Sequence, residues 1–218
     1  GMYKAIVFDL DGTLIDTDVV IIDSWRELIN TYKDKDFYIS DDVLRTFSGP
    51  PIQQSIAKVF PEYDGDFILK EYRQRSIKHY NQKLHSFKHT RKTIQKLKKD
   101  GYLILILTQK NKDRAIFSLK KCKIYNLFDC MLTCDDLSRP KPDSQGIEIL
   151  KEKYNLKNED ILYVGDNYID YQLSLNANVD CVLMTMAKRD FKDKMPHPKK
   201  FLSSMDELYL EVKANENN

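Results

Sequence analysis

Five short apolar runs rich in β-branched residues punctuate an otherwise polar chain: Lys4–Phe8, Tyr102–Leu107, Cys130–Thr133, Ile161–Val164 and Cys181–Met184. Continuous apolar runs of this length fit strands buried on both faces. Each of the last four follows a stretch with apolar residues at helical spacing. The pattern therefore predicts strand–helix alternation and an α/β fold, a doubly wound parallel sheet covered on both faces. Asp100-Gly101 ends the helix before Tyr102–Leu107, with glycine at the usual stop position.

The first interval breaks this rhythm. Between Asp16 and His85 the spacing is helical throughout, over Val19–Tyr32, Asp41–Phe47, Ile52–Phe60 and Asp66–Tyr80. Turns at Phe47-Ser48-Gly49-Pro50-Pro51 and Phe60-Pro61 separate these segments. A crossover between parallel strands needs about a dozen residues, and this interval holds about seventy. The expected organisation is an α/β core from residues 1-15 and 86-218, with 16-85 inserted as a helical unit above the sheet. Ala214–Asn218 is expected to fray.

Composition narrows the partners. The chain has 218 residues, 42% hydrophobic and 11% aromatic, enough for a sizeable core and a smaller second unit. Lysine and arginine total 35 against 33 acids, and this near balance argues neither for nucleic acid, which is not expected as a partner, nor for an acidic partner. The lysines around Lys88–Lys99 and Lys110–Lys123 alternate with Ile94, Leu97, Ile116 and Leu119, as on solvated helix faces. The longest apolar run, Leu103–Leu107, is too short to span a bilayer. Acids appear by Asp9, so no secretory leader is expected, and Gly1 ahead of Met2 reads as a remnant of tag removal. A soluble cytoplasmic protein is expected.

Cys122, Cys130, Cys134 and Cys181 lack the spacing of a zinc knuckle and read as reduced, largely buried thiols. His85 and His89, four apart, could share a helix face, but no Glu completes a metalloprotease signature. Asp16, Asp18 and Asp23 read as acids of a helix start.

In an open parallel sheet, ligands bind beyond the carboxyl ends of the strands. Asp9 and Asp11 follow the first strand, Thr108 follows Tyr102–Leu107, and Gly165-Asp166 with Asp170 follows Ile161–Val164. Lys141 lies in Arg139-Pro140-Lys141-Pro142-Asp143, before the next helix. Alone, each acid, hydroxyl or lysine is an ordinary turn or cap residue. Together they converge on one rim.

This set resembles the four motifs of the haloacid dehalogenase superfamily of phosphohydrolases. Asp9-Leu10-Asp11-Gly12-Thr13-Leu14 is similar to its first motif, Thr108 to the second, Lys141 to the third and Gly165-Asp166-x-x-x-Asp170 to the fourth. The resemblance covers the whole chain in order, with the helical insertion where the family carries a C1-type cap. It implies a Mg²⁺-dependent phosphatase with Asp9 as nucleophile, forming an aspartyl-phosphate. Asp11 would protonate the leaving oxygen and then deprotonate the attacking water. Asp9, the Asp11 carbonyl and Asp166 would hold the metal, supported by Asp170. Thr108 would donate to the phosphate and Lys141 would neutralise it. The second motif reads Thr108-Gln109 where the family usually has Thr-Asn, which leaves the contact of Gln109 open.

The cap would choose the substrate. Ser48-Gly49-Pro50-Pro51 resembles the cap loop of phosphoglycolate-type and pyrophosphatase-type members, so Gly49 and Arg45 are candidates for substrate contact, alongside Arg73 and Arg75. A small phosphorylated metabolite is the expected substrate of a phosphoglycolate phosphatase-like monomer or homodimer, with inorganic pyrophosphate or a nucleotide as alternatives. A sugar phosphomutase ranks lower. Val20, Ile21 and Ile22 stand where a histidine would follow the first motif, and Ile52, Gln53 and Gln54 stand where a basic cap residue would. A receiver-type signalling domain would carry its acceptor Asp after a middle strand and have no such insertion. A silent phosphate-binding relative would have lost one of Asp9, Asp11, Lys141 or Asp166.

Overall fold

In a computed structural model describing residues 1–48 and 52–217, the apolar run at the N-terminus forms strand β1 (Ala5–Phe8), buried at every position. It pairs in parallel with β2 (Leu103–Leu107) on one side and β4 (Ile161–Gly165) on the other. β3 (Cys130–Leu132), β5 (Asp180–Met184) and β6 (Phe201–Leu202) extend the sheet to the order β3-β2-β1-β4-β5-β6, parallel throughout. The doubly wound α/β fold is thus as the sequence pattern predicts.

Burial on both faces explains why these strands lack polar alternation. Ala5, Val7, Leu105, Leu107, Ile161 and Tyr163 point to one face. There they pack with Ile147 and Leu150 of α7 (Gln145–Tyr154) and Leu173 and Ala177 of α8 (Tyr168–Ala177). Ile6, Phe8, Ile104, Ile106, Leu162 and Val164 alternate to the other face and are also buried. Helix α5 (Thr90–Lys99) packs on β2 and on the C-terminal helix α9 (Met205–Asn215), and α6 (Lys112–Lys121) follows β2.

The residues of Asp16–His85 form a second compact unit, distinct from Gly1–Ile15 with Ser86–Asn218. It contains α1 (Asp18–Tyr32), α2 (Asp41–Arg45), α3 (Ile52–Val59) and α4 (Gly65–Lys83). Its core forms around Trp25, whose ring lies 5.0 Å from Phe47, 5.2 Å from Tyr72 and 6.4 Å from Phe60. Leu28, Leu44, Ile56 and Ile68 complete the cluster. No helix among the described residues is long and apolar enough to cross a membrane.

Several local expectations are corrected. The tail does not simply fray. Ala214 and Asn215 belong to α9, and Glu216 accepts hydrogen bonds from Tyr102 Oη and Lys213 Nζ. A signal for α9 was present in Ser204 and Glu207: the Ser204 hydroxyl caps the helix by accepting from the Glu207 N–H at 3.1 Å. Strand β6 is two residues long, too short to show a period, and depends on β5 for its pairing. The cysteines are free, but Cys134 is exposed and the other three only partly buried. His85 and His89 share no helix. His85 lies beyond the end of α4 near Asp16, and His89 precedes α5 and pairs with Asp206 at 2.7 Å. Of the three acids assigned to a helix start, only Asp18 lies in the first turn of α1, where it is buried with Arg45 Nη1 at 3.9 Å. Asp23, deeper in α1, accepts from Lys83 at 2.7 Å.

Replacing Trp25 with Ala would leave a cavity ringed by three aromatic side chains. The expected cost is about 3–5 kcal/mol of stability in the helical unit, to be read as a shifted urea transition followed by far-UV circular dichroism. A shift below about 1 kcal/mol would mean that the ring cluster does not hold this unit together.

Candidate active site

The sheet order reverses between β1 and β4, because the chain builds outward from β1 to β3 and then returns to the other side. Such a switch point leaves a crevice beyond the strand ends. Asp9 follows β1 directly, and its N–H donates to the Val164 carbonyl of β4 at 2.9 Å. Asp166 follows β4, and Asp170 lies in the first turn of α8. Asp9, Asp166 and Asp170 each offer a carboxylate oxygen, and these oxygens lie within 4.8 Å of one another.

Three acids so close are held by a specific set of donors. Lys141 Nζ sits 3.2 Å from Asp9 Oδ1 and 3.0 Å from Asp170 Oδ1. Asp170 also accepts from Tyr163 Oη at 2.7 Å and from the N–H groups of Asp166 and Asn167 at 3.2 Å each. Asp166 accepts from the Thr13 hydroxyl at 2.9 Å and from Arg189 Nε at 3.0 Å. Asp9 accepts from the Leu10 N–H at 2.7 Å.

Two glycines make the approach possible. Gly12 has φ +82°, and a Cβ there would stand 2.2 Å from Asp166 Oδ2. A Cβ on Gly165 would stand 2.4 Å from the Asp170 carboxyl group. Both positions therefore need glycine for space, and Gly12 for backbone conformation as well.

Electrostatics shows what this arrangement lacks. Burial, then the charge of Asp170, raises the Asp9 carboxyl well above its ordinary range, with Asp166 adding and Lys141 opposing. Burial and Asp170 likewise push Asp166 up to about 6, against the pull of Arg189. At Asp170 burial is outweighed by Lys141 and the Tyr163 hydroxyl, so this acid stays ionised. Burial would strip Lys141 of its charge, but Asp170 and Asp9 hold it above its ordinary value. The cluster thus carries more buried negative charge than its own lysine balances. Hard carboxylate oxygens, closely grouped and short of positive charge, fit a divalent cation such as Mg²⁺.

The remaining expected residues divide. Thr108 is buried at the end of β2, and its hydroxyl accepts from the Lys110 N–H at 3.1 Å. The Asp11 carboxylate does not join the three-acid group; Lys110 Nζ contacts both its oxygens, at 2.9 and 3.2 Å. Gln109 is exposed. Arg45 belongs to the helical unit, beside Asp18, and Gly49 lies outside the described residues.

Sequence reasoning did not single out Thr13, Lys110, Tyr163 or Arg189. Lys110 stands two residues after Thr108 and Thr13 inside the first motif, so position could have marked them. The Tyr163 hydroxyl, the polar group of a fully buried strand, was a further sign. Arg189 carries no periodic or motif signal.

Acids grouped for a cation at the switch point of a parallel sheet stand where α/β enzymes bind their ligands. The chain matches the haloacid dehalogenase-like hydrolase family over residues 6–184. It is 31% identical over 209 residues to pyrophosphatase PpaX of Bacillus anthracis, covering 95% of each chain. To pyrophosphatase PpaX of Bacillus cereus it is 34% identical over 174 residues, 80% of this chain and 79% of the relative. The fold is similar to that of a predicted phosphoglycolate phosphatase from Haemophilus somnus, with a TM-score of 0.79, 21% identity, and 97% and 98% of the two chains covered. The chain belongs to the haloacid dehalogenase-like hydrolase family, and it is a hydrolase.

The raised Asp166 fixes a pH dependence. Because its folded value of about 6 exceeds the ordinary 3.8, the metal-free folded state holds this proton more tightly than the unfolded chain. That contribution to stability is fully present below the ordinary value and is lost as pH rises through about 6. In chelator, wild type should lose about 2 kcal/mol relative to Asp166→Asn between pH 4 and 6.5, at no more than about 1.36 kcal/mol per pH unit. Parallel urea midpoints for the two proteins across that range would refute the shift.

Proposed function

We propose that this hydrolase is a magnesium-dependent phosphatase acting on small phosphate monoesters through a phosphorylated Asp9. One observation carries the reading: Lys141 is buried between Asp9 and Asp170, with Asp166 completing a group of carboxylates around a charge deficit. A transferring phosphoryl group spreads negative charge over its oxygens and needs positioned positive charge around it.

In this mechanism Asp9 attacks phosphorus, and the bond from phosphorus to the ester oxygen breaks. Asp11 gives its proton to the departing oxygen. Water then attacks the phosphorus of the acyl phosphate, Asp11 takes its proton, and inorganic phosphate leaves with Asp9 regenerated. Lys141 neutralises the phosphoryl oxygens and the Thr108 hydroxyl donates to them. Lys110 orients Asp11 through its contact with both carboxylate oxygens. The Asp9 and Asp166 carboxylates and the Asp11 carbonyl would hold Mg²⁺. Asp170 is saturated by its four donors and sets the geometry of its neighbours. When bound, the cation supplies the charge that lets these acids and an anionic substrate share the crevice.

The helical unit of residues 16-85 is proposed as the cap that limits substrate size, with Arg45 and Gly49 as candidates for substrate contact. A cytoplasmic protein, monomeric or homodimeric, fits this reading. Inorganic pyrophosphate is a second substrate reading, favoured by the PpaX pyrophosphatases, which are 31% identical across nearly the whole length.

A panel of phosphate monoesters and pyrophosphate, assayed with Mg²⁺ and again in chelator, tests the proposal. Activity should depend on Mg²⁺, and the best substrate separates the two readings. Full activity in chelator would sink the metal assignment. Asp9→Asn should abolish turnover while the fold persists, because an amide is a poor nucleophile; activity within tenfold of wild type would remove Asp9 from its role.

Asp11→Asn should lose roughly 10²–10⁴-fold in kcat. The loss should be greatest for esters with poor leaving groups and smallest for activated aryl phosphates. A uniform loss across leaving groups would show that Asp11 is not the acid.

A further inference from the structure

Two cations border the acid group, and they are held differently. Lys141 is locked between Asp9 and Asp170, with only 3% of its side chain exposed. Arg189 arrives from the long connection between β5 and β6, which has neither helix nor strand. It touches Asp166 through Nε–H at 3.0 Å and keeps 16% of its side chain in solvent. The room it occupies exists because residue 12 is a glycine: a Cβ there would lie 2.9 Å from Arg189 Nη2 as well as against Asp166.

The guanidinium therefore stands on Asp166 Oδ2 while Thr13 donates to Oδ1, so a divalent cation would have to share a carboxylate whose two oxygens are both already taken. Arginine is never neutral at working pH, so it cannot give way by losing a proton. Two positive charges on one carboxylate repel strongly where burial lowers the effective dielectric. Lys141 cannot yield without stranding Asp170 among buried groups. Arg189, part-solvated and on a connecting loop, is the cation of the two with room to move.

We propose that Arg189 is a built-in counterion for Asp166, which a divalent cation must displace to bind. The proposal rests on the cation site read above. In the metal-free protein the pair offsets part of the repulsion among Asp9, Asp166 and Asp170. On loading, the guanidinium leaves Asp166 and the β5–β6 connection is released with it. Arg189 thus sets cation affinity below what the carboxylates alone would give, and it couples metal occupancy to the conformation of that loop.

Titration of MgCl₂ alone, without substrate, into chelator-stripped protein tests this by calorimetry. Arg189→Ala should bind Mg²⁺ roughly tenfold more tightly than wild type, equivalent to about 1.4 kcal/mol. Arg189→Lys, which keeps the charge on a more mobile stem, should fall between them. Wild type gives a second readout by NMR of the arginine Nε–H groups, with Arg189 assigned by its absence in a variant. Its Nε–H should exchange slowly with water in chelator and rapidly at Mg²⁺ saturation. If Arg189→Ala fails to fold without metal, Arg189→Lys and the NMR readout still decide. Unchanged or weaker Mg²⁺ affinity in the variants, or an Nε–H that stays protected at saturation, would overturn the counterion role while leaving the cation site standing. No Mg²⁺ binding by wild type or variant would overturn the cation site itself, and this proposal with it.

Discussion

Everything near the β1–β4 crevice follows from the cost of placing three carboxylates where water is largely excluded. A buried acid is tolerated only when its charge is balanced and its oxygens are hydrogen-bonded. Asp170 meets that condition fully, through Lys141, Tyr163 and two backbone N–H groups. Asp9 and Asp166 meet it only in part, and their carboxyl groups are raised accordingly. The asymmetry separates an acid that holds geometry from two that remain short of positive charge.

The scaffold that sustains this cost is the apolar sheet beneath it. Strands β1 and β4 are buried on both faces, so their ends are fixed by packing on either side. Parallel pairing sets Phe8 beside Val164, and the acids that follow each strand emerge as neighbours. Gly12 and Gly165 then remove the side-chain bulk that would hold Asp166 and Asp170 away. Packing, register and two missing Cβ atoms together set distances that no single interaction could impose.

Lys110 and Arg189 extend the same logic to the rim. Each is a part-buried cation that contacts an acid of the site: Lys110 meets Asp11 and Arg189 meets Asp166. A charged partner at the edge of a low-dielectric site orients a carboxylate more firmly than solvent would. It also leaves the acid able to exchange partners, which a fully enclosed lysine such as Lys141 does not.

The sequence by itself determined the α/β class, because unbroken apolar runs alternating with helical spacing admit few architectures. It also marked Asp9, Asp11, Thr108, Lys141, Asp166 and Asp170 as one group, since strand ends in a parallel sheet share an edge. It left α9 and β6 unread, although Ser204 and Glu207 signalled the first, because a two-residue strand has no period and acquires its identity only by pairing with β5. Only the tertiary structure decided which acid faces which cation. Arg189 lies in an irregular connection, and nothing local in the chain foretells that its guanidinium meets Asp166 across Gly12. Nor does spacing reveal that the Tyr163 hydroxyl turns toward Asp170. Such pairings arise when distant segments are brought within 3 Å by packing elsewhere, and Coulomb energy at that range is specific to position rather than to sequence.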